Sequence, residues 1–212
     1  MVSGRRPAIA RSAVATGRGD DGTTGLLYGG RIDKDDPRTE AYGSVDESVA
    51  VLGIARAALQ AEGHAELAAA ILRWQRELFV VGAELAANPD ALDRLQDGVT
   101  RVSEAMLTGV EEELARWEAA VEMPREFVVP GETLASAALE QARTVLRRSE
   151  RRVISLQRSG ALESPWLVPY LNRLADLAWV LARAAEQAGN RPAIPARTTS
   201  SARRGESARS GS

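Results

Sequence analysis

The chain has 212 residues, 44% of them hydrophobic, and a formal net charge of -2. This length allows one sizeable globular core, and the charge excludes a protein that binds nucleic acid through an overall basic character. The lack of cysteine and the single histidine, His64, exclude a thiol nucleophile, a disulfide framework and metal sites built from Cys/His clusters. Apolar runs are shorter than the roughly 18 residues that cross a bilayer, and a secretory signal pattern is absent. We therefore expect a soluble, cytoplasmic protein that does not associate with a membrane and has no metal site of its own.

The N-terminal region joins an aperiodic segment to a loop that resembles a phosphate cradle. Residues 1–15 mix Gly, Pro, Ser and Arg, and we expect them to be poorly ordered. Glycines that permit close backbone approach, together with hydroxyl donors, then make up the loop: Thr16, Gly17, Arg18, Gly19, Asp20, Asp21, Gly22, Thr23, Thr24 and Gly25. It is neither a Walker loop nor a dinucleotide fingerprint, so a plain Gly/Asp turn remains the alternative.

Hydrophobic periodicity predicts five helices in an all-α bundle, because no segment alternates as a strand does. The predicted spans are 37–61, 64–87, 98–121, 132–160 and 164–189. The first follows Lys34 and the start signal Asp35-Asp36-Pro37. Within it the apolar residues Val45, Val49, Leu52, Ile54 and Leu59 recur at helical spacing. We assign one domain to residues 16–189 and a disordered tail to residues 190–212, so truncation at Gly189 is expected to leave activity intact.

The fourth helix combines fixed charge with a buried pattern. Arg143, Arg147 and Glu150 share one stripe, about a quarter-turn from the apolar positions Ala135, Leu139, Ala142, Leu146 and Val153. Two guanidinium groups one turn apart can clamp a polyphosphate, although a solvated, salt-bridged helix face has the same pattern.

Two residues outside this helix are also candidates for the site. Asp46, in the first helix, is either a surface acid or a partner that orients an arginine of another helix. Phe127 lies in the connector 123–131, which its prolines keep extended. It is either a core plug or a wedge against a flat ligand face.

Five ordered segments carry a resemblance to one enzyme family. They are Gly19–Thr24, Asp35–Arg38 with Glu40–Glu47, Phe127–Gly131, Ala142–Arg151 and Tyr170–Asp176. These segments closely resemble the signatures of the PduO-type ATP:cob(I)alamin adenosyltransferases. The resemblance implies a homotrimer of five-helix bundles that moves the 5′-deoxyadenosyl group of ATP to Co(I) of a reduced corrinoid and releases triphosphate. A reductase and an adenosylcobalamin-dependent enzyme are further partners that it suggests.

The resemblance also implies roles for individual residues. The loop 16–25 and Lys34 would hold the triphosphate with Mg²⁺, and Arg147 would contact phosphate. Arg143 would pair with Asp46 across the subunit interface, and Phe127 would occupy the lower face of the corrinoid and displace its axial base. The nucleotide site would be completed by Arg148, Glu150, Arg151 and Asn172.

The chain departs from the family pattern at two places. The family usually has Thr-Lys/Arg-Thr-Gly-Asp, whereas this chain has Thr16-Gly17-Arg18-Gly19-Asp20, so the basic residue is displaced by one position. Glu132 also replaces the second glycine of the usual Pro-Gly-Gly. Because Arg18 is displaced, an alternative function stays open: the protein could carry or sense adenosylcobalamin with little turnover. A purely structural interaction bundle is a third reading, which the Gly/Thr loop disfavours.

Overall fold

The computed structural model describes residue 12 and residues 14–197. The predictions for the two chain ends fall in part outside this range. Within it lie five α-helices and one 3₁₀ helix, Pro89–Arg94. The α-helices are α1 (Pro37–Ala61), α2 (Ala65–Leu85), α3 (Glu104–Ala120), α4 (Leu134–Arg158) and α5 (Leu167–Ala188). The predicted mostly helical fold is therefore confirmed.

Local capping sets where these helices begin. The Asp36 side chain accepts a hydrogen bond from the Arg38 N–H, and Pro37 occupies the first turn of α1. Thr133 and Ser136 form a reciprocal capping box at the start of α4. The third helix begins later than predicted because residues 97–101 form a turn, in which Gly98 has a positive φ of 75°.

The helices pack around one hydrophobic core. α1 packs against α2 and α4, while α5 packs against α4 and α3. The apolar stripe predicted on α4 is fully buried, which confirms its orientation. The grouping of Ile54 with the periodic apolar residues of α1 was wrong, because Ile54 is 52% exposed. Ala55 and Ala58 face the core instead, since they share a face with Leu52 and Leu59.

Four very short strands accompany the helices, although the sequence showed no strand pattern. β1 (Thr23–Gly25) pairs antiparallel with β2 (Arg31–Asp33). β3 (Val128–Val129) pairs antiparallel with β4 (Ile194–Pro195). The second pair corrects the assignment of a disordered tail at residue 190, because the chain returns after α5 to the connector that carries Phe127. Backbone pairing between such distant segments leaves no periodic signal in either one.

Candidate functional site

Turns fold the loop that precedes β1, because the Asp20 N–H donates to the Gly17 carbonyl at 3.3 Å and the Gly22 N–H donates to the Gly19 carbonyl at 3.2 Å. Gly17 and Gly22 have φ values of 66° and 84°, which favour glycine. The Asp21 carboxylate accepts hydrogen bonds from the backbone and hydroxyl of Thr23, at 3.0 and 2.9 Å. These bonds lower the pKa of Asp21, with a smaller contribution from Arg31.

Basic side chains from the β1–β2 hairpin close this loop. Lys34 Nζ donates to the Gly19 carbonyl at 2.7 Å, which places its ammonium group beside the loop. Arg31 Nη2 donates to the Arg18 carbonyl at 2.6 Å, and Arg31 Nε donates to the Thr23 hydroxyl at 2.8 Å. Arg31 was not among the predicted site residues. Its position opposite Gly25 follows from the hairpin register, which the sequence pattern did not reveal.

The arginine-rich face of α4 is shared between two environments. Arg148 forms an ion pair with Glu47, and Arg152 Nη2 lies 3.3 Å from Glu40 Oε2, so both tie α4 to α1 across an exposed seam. At these two residues the face is salt-bridged, as the alternative to a polyphosphate clamp predicts. Arg147 makes no ion pair within the described part of the chain, which leaves its charge available to a ligand.

Arg143 and Arg147 line one open cavity of about 330 Å³ between α3, α4 and α5. The apolar and aromatic part of its wall comes mainly from α5, including Trp179. Its complete lining is Leu114, Glu118, Arg143, Arg147, Ala175, Asp176, Trp179 and Val180. The two guanidinium groups therefore face one space, as the clamp hypothesis requires.

Beneath Arg143 lies a buried charge network that the sequence analysis missed. Arg143 Nε donates to Glu140 Oε2 at 2.7 Å, and Arg183 Nη2 lies 3.2 Å from Glu140 Oε1. Arg183 Nη2 also donates to Glu186 Oε1 at 2.9 Å. Burial raises the pKa of Glu186, and the positive charge of Arg183 opposes that shift. An arginine in an apolar helical pattern is the only sequence signal for Arg183.

Asp46 lies on a different surface from Arg143. It lines a second cavity of about 460 Å³ between α1 and α2, beside Tyr42 and the exposed Phe79. Burial raises the pKa of Tyr42. Within one chain, Arg143 therefore pairs with Glu140, while Asp46 belongs to another face.

Glu150 and Asn172 are brought together across the α4–α5 contact. Asn172 Nδ2 donates to Glu150 Oε1 at 3.0 Å, and Arg173 Nη1 donates to Asn172 Oδ1 at 2.9 Å. The side-chain amide is thereby held in one orientation beside the arginine-rich helix. Arg151, the next candidate on α4, is exposed.

Phe127 is 89% exposed, so the core-plug interpretation is wrong. Its backbone is nevertheless fixed, because its carbonyl accepts a hydrogen bond from the Ala196 N–H at 2.7 Å. The side chain is therefore presented to solvent from an anchored segment. That arrangement leaves the wedge interpretation standing.

Comparison with known proteins identifies relatives over most of the chain. Residues 14–185 match the family described as cobalamin adenosyltransferase. A corrinoid adenosyltransferase of Citrobacter freundii is 42% identical over 173 residues, 82% of this chain and 94% of the relative. The corrinoid adenosyltransferase PduO of Salmonella typhimurium is 38% identical over 81% of this chain, which spans only 49% of that relative.

Solved structures agree with the sequence relatives. A phenylalanine-to-histidine variant of the PduO-type ATP:corrinoid adenosyltransferase from Lactobacillus reuteri, complexed with cobalamin and ATP, superposes with a TM-score of 0.78. It is 28% identical and covers 87% of this chain and 97% of that structure. An arginine-to-lysine variant of the Lactobacillus reuteri enzyme, complexed with ATP, gives a TM-score of 0.72. By sequence and by fold, this chain belongs to the cobalamin adenosyltransferase family.

Proposed function

We infer that this chain is an ATP:corrinoid adenosyltransferase, which transfers the 5′-deoxyadenosyl group of ATP to the Co(I) centre of a reduced corrinoid. The observation that carries the inference is the cavity lined by Arg143 and Arg147 in a chain whose relatives are named for this activity. A solved relative holds ATP and cobalamin together. The same two substrates are proposed here.

The chemistry requires alignment and charge neutralisation more than a protein nucleophile. Co(I) supplies an electron pair to C5′ of ATP, the C5′–O bond breaks, and triphosphate leaves with the electrons of that bond. The corrinoid is itself the nucleophile, so the absence of cysteine from the sequence is compatible with the reaction. Holding the two substrates in line lowers the entropic part of the barrier.

Basic groups on two parts of the chain suit the departing triphosphate. We propose that Lys34 and the loop 16–25 hold one part of it, since the ammonium group lies against the loop at 2.7 Å from the Gly19 carbonyl. Asp20, exposed on the same loop, supplies a carboxylate of the kind that binds Mg²⁺. Arg147 supplies a planar, permanently charged donor for the remaining phosphate oxygens.

We propose that a second copy of the chain completes the site, in a homotrimer. Two observations support sharing: the Arg143 cavity is lined by α3, α4 and α5 without any loop residue, and Asp46 lines a separate cavity. A cyclic assembly would bring each Arg143 near a neighbour's Asp46 and would repeat that contact three times. Light scattering at micromolar concentration, with and without ATP, should give a trimer; a monomer in both samples would contradict this proposal.

The pairing of Asp46 with Arg143 has its own test. Asp46→Ala and Arg143→Ala should each lower transfer strongly, whereas the double variant should lose much less than the sum of the two. A matched control is Asp90→Ala, which removes an exposed acid from the 3₁₀ helix and should leave transfer unchanged. Additive losses would mean that the two residues do not interact.

The activity itself is tested with purified protein, ATP and chemically reduced cob(I)alamin. Formation of the cobalt–carbon bond is followed by the absorbance change, and triphosphate is measured as the second product. Equal amounts of both products would support the proposal. Binding of adenosylcobalamin without ATP-dependent turnover would instead favour the carrier.

None of the helices in the described part of the chain is long and apolar enough to cross a membrane. A cytoplasmic location, where ATP is available, stays a proposal. A reductase that supplies Co(I) and an enzyme that consumes adenosylcobalamin are proposed partners on the same footing.

A further inference from the structure

Glu140 connects the solvent-facing edge of α4 with the interior of the bundle. Its carboxylate Oε2 accepts from Arg143 Nε at 2.7 Å, while Oε1 lies 3.2 Å from Arg183 Nη2. The Glu140 residue is only 5% exposed. Each oxygen of the Glu140 carboxylate therefore contacts a different guanidinium group, and the two contacts fix the orientation of the carboxylate.

The interior end of this connection is firmly held. Arg183 on α5 is 1% exposed, and its Nη2 donates to Glu186 Oε1 at 2.9 Å. The Trp179 ring lies below the Arg183 guanidinium, with its centroid 5.6 Å away. Close packing and two carboxylate partners leave Arg183 little rotational freedom, so it serves as a rigid anchor for Glu140.

The outer end determines how Arg143 is presented. Because a guanidinium group is planar, a hydrogen bond at Nε sets the plane in which Nη1 and Nη2 lie. Arg143 is about one-third exposed at its side chain (31%) and lines the 330 Å³ cavity with Arg147. Its two terminal nitrogens are not used by Glu140. They are therefore available to a second anion.

We propose that Glu140 is a positioning residue, which uses the buried Arg183 as an anchor to aim the terminal nitrogens of Arg143 at an anionic group. The group is a phosphate of ATP or the carboxylate of Asp46 in a second copy. The proposal rests on the adenosyltransferase function inferred above. It assigns a role to Glu140 and Arg183, two residues that hold no substrate themselves.

Glu140 could instead simply neutralise the charge of Arg143. That role predicts the opposite effect of Glu140→Gln on the affinity for ATP. Removing a neighbouring negative charge strengthens the attraction of an arginine for any anion. A neutralising Glu140 would therefore weaken ATP binding in the native protein, and Glu140→Gln would tighten it. A positioning Glu140 would make Glu140→Gln bind ATP less tightly, because the amide NH₂ cannot accept a hydrogen bond from either arginine.

The deciding experiment compares ATP dissociation constants by titration calorimetry. Glu140→Asp keeps the charge but shortens the side chain by one methylene, and it should raise the Kd for ATP about tenfold. Glu113→Asp is the matched control, because Glu113 and Arg116 form the same i,i+3 pair on α3 without lining the cavity. It should leave the Kd unchanged. Circular dichroism melting verifies that each variant folds, and Glu140→Gln replaces Glu140→Asp if the latter does not.

A double-variant cycle shows whether Glu140 acts through Arg143. In an Arg143→Met background, Glu140→Asp should have no further effect on the Kd for ATP, whereas a merely structural role would add its full loss. In an Asp46→Ala background, disappearance of the effect assigns the anion to the carboxylate, and its persistence assigns it to phosphate; both support positioning. If wild type does not bind ATP, the proposed function fails. If wild type binds ATP and Glu140→Asp binds equally well, only the positioning role fails.

Discussion

Replacing Phe127 with alanine separates a structural aromatic from one that acts on a ligand. The side chain is 89% exposed, so about a tenth of its surface is buried in the folded chain. A phenylalanine buries roughly 150–250 Å² when fully enclosed, so about 20 Å² is at stake here. At about 25 cal/mol per Å², this burial contributes about 0.5 kcal/mol. A buried aromatic would cost about 3–5 kcal/mol on truncation.

Denaturant unfolding, followed by circular dichroism, measures this difference directly. Phe127→Ala should unfold within about 0.5 kcal/mol of wild type. Trp74→Ala, the control at a site that is 1% exposed, should lose about 3–5 kcal/mol. If Phe127→Ala instead loses as much free energy as Trp74→Ala, its side chain is buried in the assembled protein and the exposure argument fails.

The functional part of this prediction uses the spectrum of Co(II)alamin bound with ATP. Wild type should show the base-off, four-coordinate form, and Phe127→Ala should not. The loss of transfer should be greater when Co(II) must be reduced in the site than when chemically reduced Co(I) is supplied, because losing the axial ligand eases reduction. An unchanged spectrum in the folded variant would refute the wedge.

Three further predictions concern Arg147, Glu84 and the C-terminus. Arg147→Ala should raise the KM for ATP and lower kcat, with only partial recovery in Arg147→Lys, since lysine lacks the planar fork; full recovery would mean that charge alone matters. Burial raises the pKa of Glu84 above its ordinary value of 4.5. The folded state therefore binds this proton more tightly than the unfolded state does. As the pH rises above 4.5 and through the raised pKa, the free energy of unfolding of wild type should fall relative to that of Glu84→Gln. Urea unfolding from pH 4 to pH 8 measures this, and parallel curves would contradict it. A chain ending at Arg197 should be fully active, whereas one ending at Gly189 lacks β4 and should lose transfer that depends on Co(II) reduction, measured with equal amounts of folded protein.

Helix placement was largely predictable because it depends on local patterns. The periodic apolar residues of α2 and α4 and the start signal at Asp36 are short-range features, and the structure agrees with them. Ile54 was grouped with the apolar residues that recur at helical spacing, although its position faces away from the core. A strict 3.6-residue register would have excluded it.

The candidate site was predictable in its residue types but not in its connections. Arg143, Arg147 and Lys34 were recognisable as anion-binding groups. The ion pair between Glu140 and Arg183, in contrast, joins two helices whose relative rotation no local pattern specifies. The separation of Asp46 from Arg143 on different surfaces is also a property of the packed bundle. Long-range contacts of this kind can be identified only once the packing of the helices is known.

The pairing of β3 with β4 sets the order in which the protein is completed during synthesis. The connector that carries Phe127 leaves the ribosome before α4 and α5, but its backbone partner Ala196 comes only after both helices. The nascent bundle can pack its helices while the connector is still unpaired, since folding proceeds from the N-terminus as the chain emerges. The surroundings of Phe127 are therefore assembled last, and a chain released before Ile194 would carry α1 to α5 and an unanchored connector.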